Sequence, residues 1–233
     1  TTNGGVKCWG DNNSGQLGNG TNINENAPVN VQGLADGVMS VDAGTYYTCA
    51  LLISSGVKCW GENFYGQLGD GTTEDKNVPV DVVDLINGAS SISTGYLHTC
   101  VGMVIGGIKC WGNNIFGQLG DGTNTSKKTP VNVIGINDHI ILSTLGIHHT
   151  CVLLASEKMK CWGNNVYGQL GNGTYLSTNI PAEALDLGNN VRSGSTMNNH
   201  SCAVLTDGKI KCWGANYFGQ LGDGTSANKN FPA

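Results

Sequence analysis

The tryptophans of this chain fall at Trp9, Trp60, Trp111, Trp162 and Trp213, a constant step of 51 residues across 233. The same step carries Pro28 to Pro79, Pro130, Pro181 and Pro232, and Cys49 to Cys100, Cys151 and Cys202. No insertion or deletion breaks the register. A fixed period of this length means that each copy is one supersecondary unit, which buries its apolar surface against its neighbours rather than on itself. The array divides into a partial unit at 1–37 and further units at about 38–88, 89–139, 140–190 and 191–233.

Inside one unit, VMSVDAG (Val38–Gly44), YTCALLI (Tyr47–Ile53), VKCWG (Val57–Gly61) and PVDVVDL (Pro79–Leu85) are short runs rich in Val, Ile, Leu and Tyr. Gly, Asn, Asp and Ser separate them, as in strands joined by turns. Nothing sustains helical periodicity. Four short strands in about 50 residues make one blade of a β-propeller, so the spacing predicts an all-β array of about 4.6 blades. The phrase NxxGQLGxGT leaves the third strand of every unit. Its glycines (Gly15, Gly18 and Gly20 in the first copy) allow positive φ or close backbone approach. Asn12, Asn63, Asn114, Asn165 and Asn216 offer side chains to turn backbone groups, and Leu17 and its counterparts fill gaps between blades. Residues common to all units read as scaffold.

Composition narrows the function classes. The chain is 39% hydrophobic and only 12% charged, with a formal charge of −5. Arg192 is the single arginine and Lys127-Lys128 the sole adjacent basic pair, which argues against a nucleic-acid partner, since such partners need clustered cations. No apolar run reaches the roughly 18–20 residues of a membrane span. GQLGDGT lacks the lysine of a phosphate-binding loop, and no HExxH or CxxC spacing occurs. His98, His149 and His200 recur at one position, held by Tyr47 in the remaining unit, and read as ordinary strand residues. The turn position Asn19, Asp70, Asp121, Asn172 and Asp223 reads as polar rather than calcium-binding. No cofactor and no catalytic residue are expected. An enzyme site built at the hub from non-repeating residues is the competing reading.

The cysteines carry the most specific chemistry. Each full unit holds two, ten positions apart: Cys49/Cys59, Cys100/Cys110, Cys151/Cys161 and Cys202/Cys212. If Thr206-Asp207-Gly208 forms a three-residue hairpin loop, Leu205 faces Lys209 and Cys202 faces Cys212. Gly208 and Gly106 suit the left-handed place in such a loop, whereas Ser55 and Glu157 do not. Directly opposed residues of a non-hydrogen-bonded antiparallel pair lie about 4.5 Å apart at Cα, within disulfide range. One pair per blade supplies too few ligands for tetrahedral zinc. Buried free thiols are the other alternative. Disulfides point to an oxidising compartment: extracellular, periplasmic or cell surface. Cys8 occupies the second position of a pair whose first member would precede residue 1.

HTCVGMVIGGIKCWGNNIFGQLGDGT (His98–Thr123) resembles the repeat of the regulator of chromosome condensation family, and the likeness covers essentially the whole chain. The resemblance implies a seven-bladed propeller; the paired cysteines fit a secreted bacterial type of it. Seven units need about 357 residues, so the chain is expected to be a fragment, with open blade edges available for self-association. Members of the family do unrelated things: guanine-nucleotide exchange on a nuclear GTPase, ultraviolet-B sensing, and secreted inhibition of β-lactamases. Their shared feature is binding protein partners through a propeller face. Where the photoreceptor carries light-sensing tryptophans this chain has Thr45, Tyr96, Ile147 and Asn198, so photoreception does not carry over.

Function is expected where the copies disagree. One divergent set follows the glycine that ends the first strand and gives the candidate partner-binding residues Tyr46, Tyr96, Leu97, Ile147, His148, Asn198 and Asn199. By resemblance it lies on the face used for partners, with Tyr46, Tyr96 and His148 as aromatic anchors. The other divergent set is the loop after GT: Asn22–Ala27, Thr73–Val78, Asn124–Thr129 and Tyr175–Ile180. The reading is a non-enzymatic, disulfide-stapled scaffold for an unidentified protein partner. A nucleotide-exchange regulator of a small GTPase is the second alternative.

Overall fold

The computed structural model describes residues 1–233 and contains seventeen strands and no helix. The first unit contributes a two-stranded ribbon, β1 (Lys7–Gly10) and β2 (Glu25–Asn30). Three four-stranded antiparallel meanders follow. The first of them runs β3 (Val38–Ala43), β4 (Tyr47–Leu52), β5 (Val57–Gly61) and β6 (Lys76–Asp81). The next comprises β7 (Ala89–Thr94), β8 (His98–Met103), β9 (Ile108–Gly112) and β10 (Lys127–Asn132). The third comprises β11 (Ile140–Leu145), β12 (His149–Leu154), β13 (Met159–Gly163) and β14 (Thr178–Glu183). The last unit pairs β15 (Val191–Met197), β16 (His200–Leu205) and β17 (Ile210–Gly214), with one further bridge from Gly214 to Lys229. These are propeller blades, and no helix is long and apolar enough to cross a membrane.

The fourth strand departs from the sequence expectation. It runs over Lys76–Asp81 rather than Pro79–Leu85. Its ladder with β5 shifts register between Cys59 and Gly61, and Pro79, which has no N–H to donate, is tolerated on this outer edge strand. Val82 and Leu85 leave the ladder and turn inward, where both are buried. The apolar run after Pro79 is thus half strand and half core-filling connector.

The core lies between blades, not within them. Side chains alternate along a strand, so Tyr47, Cys49 and Leu51 of β4 face the following unit and pack in one cluster with Val101 and Trp111. Ala50 faces backwards and joins Trp60, Val31 and Leu34. The next two junctions repeat this arrangement.

One main-chain group closes each junction. The carbonyl of Gln16 accepts the Trp60 indole N–H at 2.9 Å and the Thr48 hydroxyl at 3.0 Å. Gln67 does the same for Trp111 and Thr99, Gln118 for Trp162 and Thr150, and Gln169 for Trp213 and Ser201. At these four junctions the glycine after GQL lies against the indole: a Cβ on Gly120 would stand 2.7 Å from Trp162 Nε1. Asn63 holds the loop from inside, accepting the Leu68 N–H at 3.0 Å and donating to Asp70 and to the Glu74 carbonyl. It is fully buried, as are Asn12, Asn114, Asn165 and Asn216.

The hairpin register is the one the spacing predicts. Cys49 faces Cys59, Cys100 faces Cys110, Cys151 faces Cys161 and Cys202 faces Cys212, and all four pairs are disulfide-bonded with Cα atoms 4.1 Å apart. Cys8 is free and half-buried, and burial pushes its thiol pKa up. Ser55 and Glu157 occupy the left-handed loop position although neither is glycine, at φ 63° and 60°. Closure of the hairpin imposes that backbone whichever residue is present.

Candidate functional site

In an antiparallel meander the first turn and the third loop emerge at the same end of the sheet, so each blade offers both on one face. Backbone bonds tie them together: Glu62 N–H donates to the Tyr46 carbonyl, Asn113 to Leu97, Asn164 to His148 and Ala215 to Asn199, all at 2.8–2.9 Å. The divergent pair at the first turn is therefore split by role. Its first residues, Thr45, Tyr96, Ile147 and Asn198, converge on a depression of about 290 Å³ near the hub. Its second residues, Tyr46, Leu97, His148 and Asn199, supply the carbonyls that hold the loops. Tyr46 and Tyr96 are exposed, Leu97, Ile147, His148 and Asn199 are half-buried, and Asn198 is exposed.

The histidine position beside this face is structural. Tyr47 Oη donates to the His98 carbonyl at 2.6 Å, His98 Nε2 lies 2.9 Å from Thr150 Oγ1, and His149 Nε2 lies 3.0 Å from Ser201 Oγ. Thr150 spends its proton on the Gln118 carbonyl. The Nε2–H tautomer of His98 therefore donates, leaving Nδ1 buried and without a partner. Burial, with smaller contributions from neighbouring histidines, lowers both His98 and His149 to a pKa of about 3, so both are neutral. Burial likewise pushes the Tyr47 hydroxyl up. No group of three or more His, Cys, Asp or Glu side chains is placed to hold a metal ion.

The second divergent set is also partly scaffold. Asn77, Lys128, Asn179 and Asn230 accept, through their carbonyls, the N–H of Gly20, Gly71, Gly122 and Gly173 in the preceding unit.

The strongest surface feature lies inside the repeated phrase. The two variable letters of NxxGQLG are Phe64-Tyr65, Ile115-Phe116, Val166-Tyr167 and Tyr217-Phe218, with Asn13-Ser14 the exception. Their first members stand out from the face, Phe64 being 70% exposed, while Phe116 packs on the His148 ring with centroids 4.7 Å apart. Tyr167 meets Tyr217 edge-on at 5.8 Å. A crown of apolar and aromatic side chains thus stands outside the first turns that line the depression, with Tyr167, Tyr217 and Phe218 beside Asn198 and Asn199. Its sequence signal was present, because these letters change identity while staying apolar in four copies of five. The fixed letters around them masked it.

The regulator of chromosome condensation (RCC1) repeat matches residues 3–51, 57–101, 106–153 and 161–204. The chain is 30% identical over 232 residues to the ultraviolet-B receptor UVR8 of Arabidopsis thaliana, covering 97% of this chain and 52% of the receptor. It is 32% identical over 211 residues to the probable E3 ubiquitin-protein ligase HERC4 of Homo sapiens, covering 88% of this chain and 20% of the ligase. It therefore spans about half of one relative and a fifth of the other. Among solved structures, human WBSCR16 superposes with a TM-score of 0.86 at 22% identity, over 99% of this chain and 62% of that one. Prp20p of Saccharomyces cerevisiae, described with its binding properties to Gsp1p and histones, gives 0.82 at 23% identity over 100% and 60%.

Proposed function

This chain belongs to the regulator of chromosome condensation (RCC1) repeat family, and on that premise we propose that it is a non-enzymatic protein-binding propeller. Its partner docks on the face formed by the first turns and third loops, and it works in an oxidising compartment outside the cytoplasm. The observation that carries this reading is the crown of exposed apolar and aromatic side chains around the hub depression. Exposed apolar patches on a folded surface mark interaction sites, and aromatic residues dominate binding hot spots. Tyr96, Ile147 and Asn198 line the depression inside this crown, and Tyr46, Leu97, His148 and Asn199 hold its loops through their carbonyls. Prp20p, which shares the fold, is described as binding proteins. A non-enzymatic role fits the buried histidines, whose Nε2 atoms are committed to bonds between blades. The four disulfides support the proposed compartment, because a reducing cytosol does not sustain such bonds.

Photo-crosslinking amino acids at Tyr96 and Phe116, compared with one at Ile105 on the opposite face, test the docking face in the source organism. Discrete protein adducts are expected from the first two. Adducts confined to Ile105 sink the reading. Mass mapping of protein isolated without reductant is expected to recover all four pairs bonded; free thiols there would return the chain to an intracellular role.

A further inference from the structure

The loop between β5 and β6 differs from its four counterparts in charge. It carries Glu62, Asp70, Glu74 and Asp75 against a single Lys76, whose ammonium lies 3.2 Å from Glu74 and 4.0 Å from Asp70. Glu62 and Asp75 face no cation. Their charges are surplus to the scaffold, as the other units show. Asp75 accepts the Asn63 N–H at 2.8 Å, and Asn24, Ser126, Ser177 and Asn228 make the same bond without charge. Glu62 accepts from the Gln67 amide at 3.1 Å, a task Asp11 performs for Gln16 at 2.7 Å and the neutral Asn113 for Gln118, also at 2.7 Å. The fold therefore holds two uncompensated carboxylates where neutral residues serve. Partial burial first, and the Asp75 charge second, raise the Glu62 carboxyl above its ordinary range, which marks the pair as mutually repelling.

The same loop and the turn bonded to it carry exposed aromatic rings, Phe64 at 70% and Tyr46 at 41%. Phe64 meets Tyr65 edge-on at 4.9 Å, and the Tyr46 carbonyl anchors the Glu62 N–H. Carboxylates beside exposed rings match a guanidinium, which stacks on an aromatic face while its N–H groups bond carboxylate oxygens. We propose that this loop is a receptor for an arginine side chain of the partner, flanked by apolar residues that rest on the crown. The inference rests on the docking face proposed above and adds the partner's charge to it.

The test uses three fluorescent twelve-residue peptides, alternating leucine with arginine, glutamine or glutamate, titrated into the whole chain. The arginine peptide is expected to bind at least about tenfold more tightly than the glutamine peptide, with the difference shrinking at high salt. Glu62→Asn with Asp75→Asn, residues already used at these places by other units, is expected to erase that preference without moving the melting temperature. Phe64→Asn, the first unit's residue, is expected to weaken it. Should the double variant misfold, the converse change serves: Asn113→Glu with Ser126→Asp in the third unit should add a second arginine site. Equal affinity for the arginine and glutamine peptides overturns the charge assignment while leaving the docking face standing. An arginine preference that survives the double substitution, or no binding by any peptide, also overturns it.

Discussion

Gly120 and Gly222 occupy the same place in the repeated phrase with the same backbone, φ 69° and 70°, yet their surroundings differ. Alanine at either must hold a left-handed conformation, at a cost of about 1–2 kcal/mol. At Gly120 the new methyl also meets Trp162, whereas at Gly222 nothing lies within 4 Å. Gly120→Ala is therefore expected to lose about 1–3 kcal/mol more in urea unfolding than Gly222→Ala; equal losses would contradict the indole contact. His98 and His149 set a pH dependence of their own. Each binds its proton near pH 6.5 when unfolded but only near 3 when folded. Between those values the unfolded chain holds more protons, so stability is full above about pH 6.5 and falls as pH drops toward 3. His98→Tyr with His149→Tyr, the residue found at Tyr47, should flatten melting temperature against pH between about 6.5 and 5.5, above the range where ordinary carboxylates titrate.

At the scale of strands and hairpins, the disulfides divide by exposure. Cys49–Cys59, Cys100–Cys110 and Cys151–Cys161 are fully buried between blades, while Cys202–Cys212 is half-buried on the outer face of the last sheet. Graded reduction with pulsed alkylation should open Cys202–Cys212 first; simultaneous opening of all four would show that the blades separate before reduction. Ser55→Gly relieves a left-handed serine and is expected to stabilise the chain by about 0.5–1 kcal/mol, since glycine's greater unfolded-state freedom offsets part of the gain. The hairpin register and the cysteine pairing were legible in the sequence because ten-residue spacing across a short loop leaves one antiparallel alignment. The outer strand was less so: a bulge near Trp60 lets it begin at Lys76, and no periodicity reports where a ladder stops. The aromatic crown stayed hidden because the fixed letters around it read as scaffold, and nothing in the sequence shows the loop turning Phe64 outward.

For the whole molecule, the junctions between units carry stability, and their loss is local. Trp111 is fully buried with its N–H bonded, whereas Trp9 is 61% exposed and borders an open cavity of about 260 Å³ beside Leu17, Val41 and Tyr47. Trp111→Ala should cost about 3–5 kcal/mol. Trp9→Ala should leave unfolding nearly unchanged but weaken self-association of the chain, measured by sedimentation across concentration. A Trp9→Ala variant that associates as strongly as the parent would place the contact elsewhere. The Gln carbonyl at each seam bears on how such arrays change over generations. One side of the seam is main chain and the other a tryptophan present in every copy, so the joint does not register which unit stands next to which. Unequal crossing-over between gene copies, in steps of one period, would reorder or multiply blades while keeping this carbonyl–indole bond at every seam, and would present the solvent with a new sequence of loops. Selection is then free to rearrange a recognition surface by shuffling whole units, a larger stride than point mutation allows.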